Sequence, residues 1–132
     1  MDKHHPMPVS ARRPVFLDLR RIALPMAGLM SILHRLSGLL LFLALPWTIW
    51  LLGLSLEGPA GLARALALLH GLPGGLALLA LLWALLHHLL AGVRYLLIDV
   101  HLGVDRPAYR QSARAVVVAA PLLAALLTGL LL

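Results

Sequence analysis

Cysteine is absent from all 132 residues, so the chain can form no disulfide, no thiolate metal site and no cysteine-ligated iron–sulfur cluster. Any metal would have to be held by histidine or carboxylate, and histidine, at seven copies, is the better supplied of the two. Acids are scarce too, five against eleven bases, and charged residues make up 12% of a chain that is 61% hydrophobic with mean hydropathy +0.95. A soluble domain is about a quarter charged, so this much Leu and Ala could not be enclosed by the polar surface available. The composition is that of an integral membrane protein with one domain and no room for a separate soluble one. Aromatic residues, at 5%, are not interleaved with the bases, which removes the stacking platform that nucleic acid needs. There is no phosphate loop, no HExxH and no Ser, His, Asp arrangement, so hydrolase chemistry has no support.

What the sequence does have is three uncharged runs. Leu36 to Leu56 covers 21 residues, about 31 Å as a helix, which matches a hydrocarbon layer of about 30 Å. Ala65 to Val93 covers 29 and contains His70-Gly-Leu-Pro-Gly-Gly75 near its start, expected to be a helix entry or kink. Its Gly71 and Gly75 form a GxxxG, but Pro73 inside it favours a bend over a dimer seam. Ala115 to Leu132 covers 18, with Pro121 a possible bend. The fold expected is all-α, a three-helix transmembrane domain over 31–132 with spans at about 31–56, 72–98 and 112–132, preceded by an N-terminal segment 1–30. That segment lacks a signal peptide's apolar core and is expected to be retained, with His4 and His5 in a solvated tail.

The bases set the orientation. Lys3, Arg12, Arg13, Arg20, Arg21 and Arg35 precede the first span and Arg94, Arg106, Arg110 and Arg114 lie between the second and third, whereas Arg64 is alone between the first and second. The positive-inside rule then puts the N-terminus and second loop in the cytoplasm and the first loop and C-terminus outside.

Two constellations sit where hydrocarbon should begin. In Ser31-Ile-Leu-His34-Arg35-Leu-Ser-Gly38, a hydroxyl, an imidazole and a guanidinium share one surface of a helix turn. This can be a polar pocket for the carbonyl head of a lipid-soluble substrate, or a basic flank that snorkels to phosphates. On the second helix, His88, Gly92, Tyr95 and Asp99 fall at i, i+4, i+7 and i+11, on one face, with Ala84 and Ala91 close to it. An imidazole beside small residues suits axial ligation of a haem, which needs close approach of a macrocycle. It suits equally a hydrogen bond to a neighbouring helix. His87 points away, toward Trp83 and Leu90, so His88 is the preferred ligand.

Together with Arg13-Pro-Val-Phe-Leu-Asp18-Leu, these motifs and His88-Leu-Leu-Ala-Gly92-Val-Arg94-Tyr-Leu-Leu-Ile-Asp99 resemble the cytochrome b556 subunits of bacterial succinate dehydrogenase. The resemblance runs from about Arg13 to the C-terminus. It implies a membrane anchor in the inner (plasma) membrane that binds one haem b, shared with a second membrane anchor subunit. It also implies a contribution to a ubiquinone site and docking of an iron–sulfur subunit and a flavoprotein subunit on the cytoplasmic face. By the same resemblance His88 is the metal ligand, Ser31 and Arg35 are quinone-binding residues, and His34 and Arg94 partner the haem propionates. No residue is assigned a catalytic role, and the chain alone has no succinate chemistry. Where the family often has histidine after the arginine of the second motif this chain has Tyr95, which donates a hydrogen bond but supplies no cation near neutral pH. The alternatives are the anchor of another membrane cytochrome b complex, such as fumarate reductase, and a cofactor-free membrane assembly protein. Nucleic acid is not an expected partner.

Overall fold

The computed structural model describes residues 24–132, and all regular structure among them is helical: α1 (Met26–Ser55), α2 (Pro59–His70), α3 (Leu72–Asp99) and α4 (Arg106–Leu131). His4, His5 and the bases from Lys3 to Arg21 lie outside the described residues. Leu and Ala favour helix strongly, and a backbone crossing hydrocarbon has to satisfy its own hydrogen bonds. Proline sets each start: Pro25 is the residue before α1, Pro59 opens α2, and Pro73 and Pro107 stand in the first turns of α3 and α4. These are positions where its missing N–H would have had no partner in any case.

Three of the helices, α1, α3 and α4, are long and apolar enough to cross a membrane. The fourth, α2, is an addition to the three-helix expectation, and it accounts for the excess length of the second uncharged run. The first residues of that run belong to α2, and Gly71, with extended backbone (φ −68°, ψ 152°), ends α2 and leads into α3. The expected break at His70–Gly75 is therefore real. It is tight, since a Cβ on Gly74 would run into the Leu68 carbonyl. α1 and α4 also begin earlier than the expected 31 and 112, because Pro25 and Pro107 start them in the polar flank rather than at the hydrocarbon edge.

Each long helix packs against the other two, and α2 lies across the ends of α1 and α3. The buried face of α3 is Ala84, His87, Ala91 and Arg94, and that of α4 is Ala113, Val116, Ala120 and Ala124. Both follow the i, i+3, i+7 rhythm, and the alanines let the two backbones approach closely. α1 contributes only Met30 and Ser37 to the interior. Much of its surface, including Phe42 at 69% exposure and Leu43 at 64%, is apolar and uncovered by this chain, as lipid or a neighbouring subunit requires.

Candidate functional site

His34 and His88 meet between α1 and α3. Their rings stack at a centroid distance of 4.2 Å and an interplanar angle of 12°, and Tyr95 closes on His34 edge-on at 5.3 Å. The expected face of α3 is thus the one turned to the Ser31–Gly38 motif. His88 and Tyr95 reach His34, and Gly92 lies beneath it, where a Cβ would come 3.8 Å from His34 Nε2. Asp99, the fourth member of that face, is exposed at the end of α3 and takes no part.

His88 is held by its Nδ1, which lies 3.1 Å from the His34 carbonyl oxygen. A carbonyl only accepts, so Nδ1 carries a proton, and in the neutral ring Nε2 is the nitrogen with the lone pair. Ser37 donates to the same carbonyl at 2.9 Å, and its Oγ is 3.4 Å from His88 Nδ1. The ring is seated on Gly38: a Cβ there would come within 2.8 Å of Cε1 and 3.1 Å of Nδ1, but 3.8 Å of Nε2. Among the described residues Nε2 has no hydrogen-bond partner, and it is not one of the buried unpartnered atoms, so it opens to the surface of the chain.

These features fit an axial ligand. A histidine that binds iron through one nitrogen ordinarily donates the other N–H to a carbonyl or carboxylate, which fixes the tautomer and the ring orientation. Among the described residues His34 Nε2 is buried without a hydrogen-bond partner, so it too has a polar atom to offer. Among the described residues no three His, Cys, Asp or Glu side chains converge on a point, so His88 would serve as one ligand and not as part of a cage.

His87 is elsewhere. It is fully buried against Trp83, with ring centroids 5.7 Å apart, and among the described residues neither of its ring nitrogens has a partner. Ala84 and Ala91, expected near His88, line the face of His87 instead.

Arg94 is also buried, but it turns to α4. Its Nε donates to Ser112 Oγ at 2.9 Å, its Nη2 donates to the Tyr109 carbonyl at 3.0 Å, and the guanidinium lies 4.4 Å from the Tyr109 ring centroid. Among the described residues its Nη1 is left buried and unpartnered. Arg94 is therefore a clamp between α3 and α4, a contact that the sequence spacing did not reveal.

Ser31 and Arg35 are parted. Ser31 lines a cleft of about 810 Å³ with Tyr95, Arg106, Tyr109, Arg110 and Arg114, whereas Arg35 is exposed and is not part of that lining. Ser37 is a further member of the site that the motif does not single out. Its place three residues after His34 was the available signal, since a helical serine at that spacing reaches back to the carbonyl.

Comparison with known proteins follows the same lines. The family described as the succinate dehydrogenase/fumarate reductase transmembrane subunit matches residues 10–128. The chain is 36% identical over 111 residues to the succinate dehydrogenase cytochrome b556 subunit of Coxiella burnetii, covering 83% of this chain and 89% of that protein. It is 31% identical over 114 residues to the subunit of the same name from Paracoccus denitrificans, covering 86% and 88%. Three spanning helices and bacterial relatives make this a multi-pass bacterial membrane protein. The chain belongs to the family of succinate dehydrogenase/fumarate reductase transmembrane subunits.

Proposed function

We propose that this chain is the membrane-anchoring cytochrome b subunit of a succinate:quinone oxidoreductase, holding one haem b jointly with a second anchor subunit and forming part of the ubiquinone-reduction site. The observation that carries the reading is the state of His88: Nδ1 engaged by the His34 carbonyl, Nε2 free, and the ring seated on Gly38. The names of the curated relatives, cytochrome b556 subunits, point the same way.

Haem b, when bound, supplies one-electron redox chemistry. His88 would hold it through Nε2, with the His34 carbonyl and Ser37 keeping the imidazole in place. His34 Nε2–H would answer a propionate oxygen. Arg94 has only Nη1 to offer, because its other contacts are spent on α4, so its propionate role is the narrower one.

Ser31, in the lining of the cleft, would donate a hydrogen bond to a quinone carbonyl, and Arg35 would lend its cation to the oxygen as negative charge develops there. Arg35 faces outward, so the pocket would be closed by neighbouring subunits. The iron–sulfur and flavoprotein subunits are the partners that would supply electrons from succinate.

The experiment is a reduced-minus-oxidised spectrum of the purified complex carrying His88→Leu beside one carrying His87→Leu. Loss of the b-type absorbance in the first and its retention in the second is the expected result. A normal spectrum from His88→Leu would remove this residue as the ligand.

A further inference from the structure

Three donors converge on the carbonyl oxygen of His34. Ser37 Oγ–H reaches it at 2.9 Å and His88 Nδ1–H at 3.1 Å. α1 runs through positions 34 and 38 without a break, so the same oxygen is the ladder acceptor for the Gly38 N–H. A carbonyl oxygen has two lone pairs, so the three donors share it and each bond is weaker than it would be alone. We propose that Ser37 is a positioning residue that keeps the potential of the haem iron up by drawing the His34 carbonyl away from His88. The proposal rests on the haem reading above and adds to it a direction of tuning.

A stronger hydrogen bond from Nδ1–H leaves more electron density on Nε2 and makes the imidazole a more basic ligand. A more basic ligand favours the ferric ion, which carries the larger positive charge, over the ferrous, and the potential falls. Ser37 works in the opposite sense. Its contact with the carbonyl is the shorter of the two side-chain contacts, and it takes lone-pair density that His88 would otherwise have. Its own Oγ returns little as an acceptor, being 3.4 Å from Nδ1, at the limit of hydrogen-bond reach.

The surroundings hold this competition in place. Ser37 is fully buried, so water does not compete for its hydroxyl. The His88 ring lies between Gly38, where a Cβ would come 3.1 Å from Nδ1, and the His34 ring stacked on it at 4.2 Å. Loss of the hydroxyl would therefore be felt at the carbonyl rather than as a movement of the ring. α1 also supplies a comparison. Thr48 Oγ1 donates to the Leu45 carbonyl at 2.9 Å, the same reach back over three residues, and no imidazole among the described residues shares that carbonyl.

The test is a redox titration of the b-type absorbance in the purified complex, wild type beside Ser37→Ala, Ser37→Cys and Thr48→Ala. A neutral hydrogen bond is worth about fivefold in an equilibrium constant. Ser37→Ala should keep the absorbance and lower the reduced-to-oxidised ratio at a fixed potential by up to about fivefold, which for one electron is a fall of about 40 mV in the midpoint. Ser37→Cys, with a weaker donor that still fills the space, should fall in the same direction by less. Thr48→Ala should match the wild type. Should Ser37→Ala shed its haem, the Cys variant carries the test.

An unchanged or raised midpoint in the Ser37 variants, loss of haem from both of them, or an equal fall in Thr48→Ala would overturn the proposal and leave the haem reading standing. A fall in Ser37→Ala with none in Ser37→Cys would do the same, by tracing the effect to a void. Absence of b-type absorbance from the wild-type complex, or its survival in His88→Leu, would instead strike the haem reading itself.

Discussion

His87 and His88 are neighbours in sequence with opposite surroundings, and the difference comes from one step of about 100° around a helix. Position 87 shares the face of Ala84, Ala91 and Arg94 and is sealed in the core; position 88 is turned toward α1, where Gly38 leaves room for a ring. Gly38→Ala is therefore expected to matter out of proportion to one methyl group. The new Cβ would sit 2.8 Å from His88 Cε1, so the imidazole has to shift and its 3.1 Å contact with the His34 carbonyl must stretch or break. The expected outcome is a lost or displaced b-type absorbance. Gly53→Ala, on the same helix with nothing within 4 Å of the new carbon, is the control and should leave the spectrum alone. Identical spectra from the two variants would show that the ring seat has no role. That the two histidines have different surroundings could be read from sequence, because a glycine four residues on marks the face of His88. Its seat on Gly38 could not, since that contact joins positions 50 residues apart on two helices whose relative rotation no local pattern encodes.

Between elements, the α3–α4 pairing rests on alanines and on one buried cation. Arg94, buried between two helices at the membrane edge, would be costly if solvated by nothing, and the structure spends Ser112 Oγ, the Tyr109 carbonyl and the Tyr109 ring face on it. Polar contacts between membrane helices are worth about 0.6 kcal/mol on average and reach about 1.7, and a charged donor belongs toward the upper end. A double-mutant cycle of Arg94→Leu and Ser112→Ala should thus give a coupling free energy of about 1–2 kcal/mol, measured from detergent-induced unfolding. Coupling near zero would mean that the two side chains only sit beside each other.

The resemblance implies a place for Arg94 beside the haem of His88. Yet six residues beyond His88 amounts to about 600°, which on a helix lands two-thirds of a turn away and on the side of Ala91. Periodicity was informative for the spans and their faces, but α2 escaped it. Pro59 and Gly71 bound a helix of 12 residues that hydropathy merges with the start of α3. Hydropathy sees one long apolar run; the Gly and Pro of His70–Gly75 mark the break in it, but not that the residues before the break, from Pro59, form a helix of their own.

At the scale of the whole molecule, the apolar face of α1, the outward Arg35 and the open Nε2 of His88 all call for surfaces supplied by other chains. Ser31→Ala and Arg35→Leu should then depress succinate-driven quinone reduction while leaving succinate oxidation by a soluble dye nearly intact, because dye reduction bypasses the membrane subunits. A parallel fall in both rates would mark the residues as assembly determinants.

Orientation is the other property of the whole, and the missing cysteines make it directly measurable. The bases of the described residues gather at the end holding Arg35, Arg94, Arg106, Arg110 and Arg114, while Arg64, paired with Glu57 at 2.7 Å, is at the other end. The positive-inside rule places the richer end in the cytoplasm. Val104 and Ala60 are exposed, one in the loop between α3 and α4 and the other in the first turn of α2. A single Val104→Cys in this cysteine-free chain should resist a membrane-impermeant maleimide in intact cells and react once the membrane is opened, and Ala60→Cys should react in both. The reverse pattern would invert the chain in the membrane, and with it the side from which the peripheral subunits could reach Ser31 and Arg35.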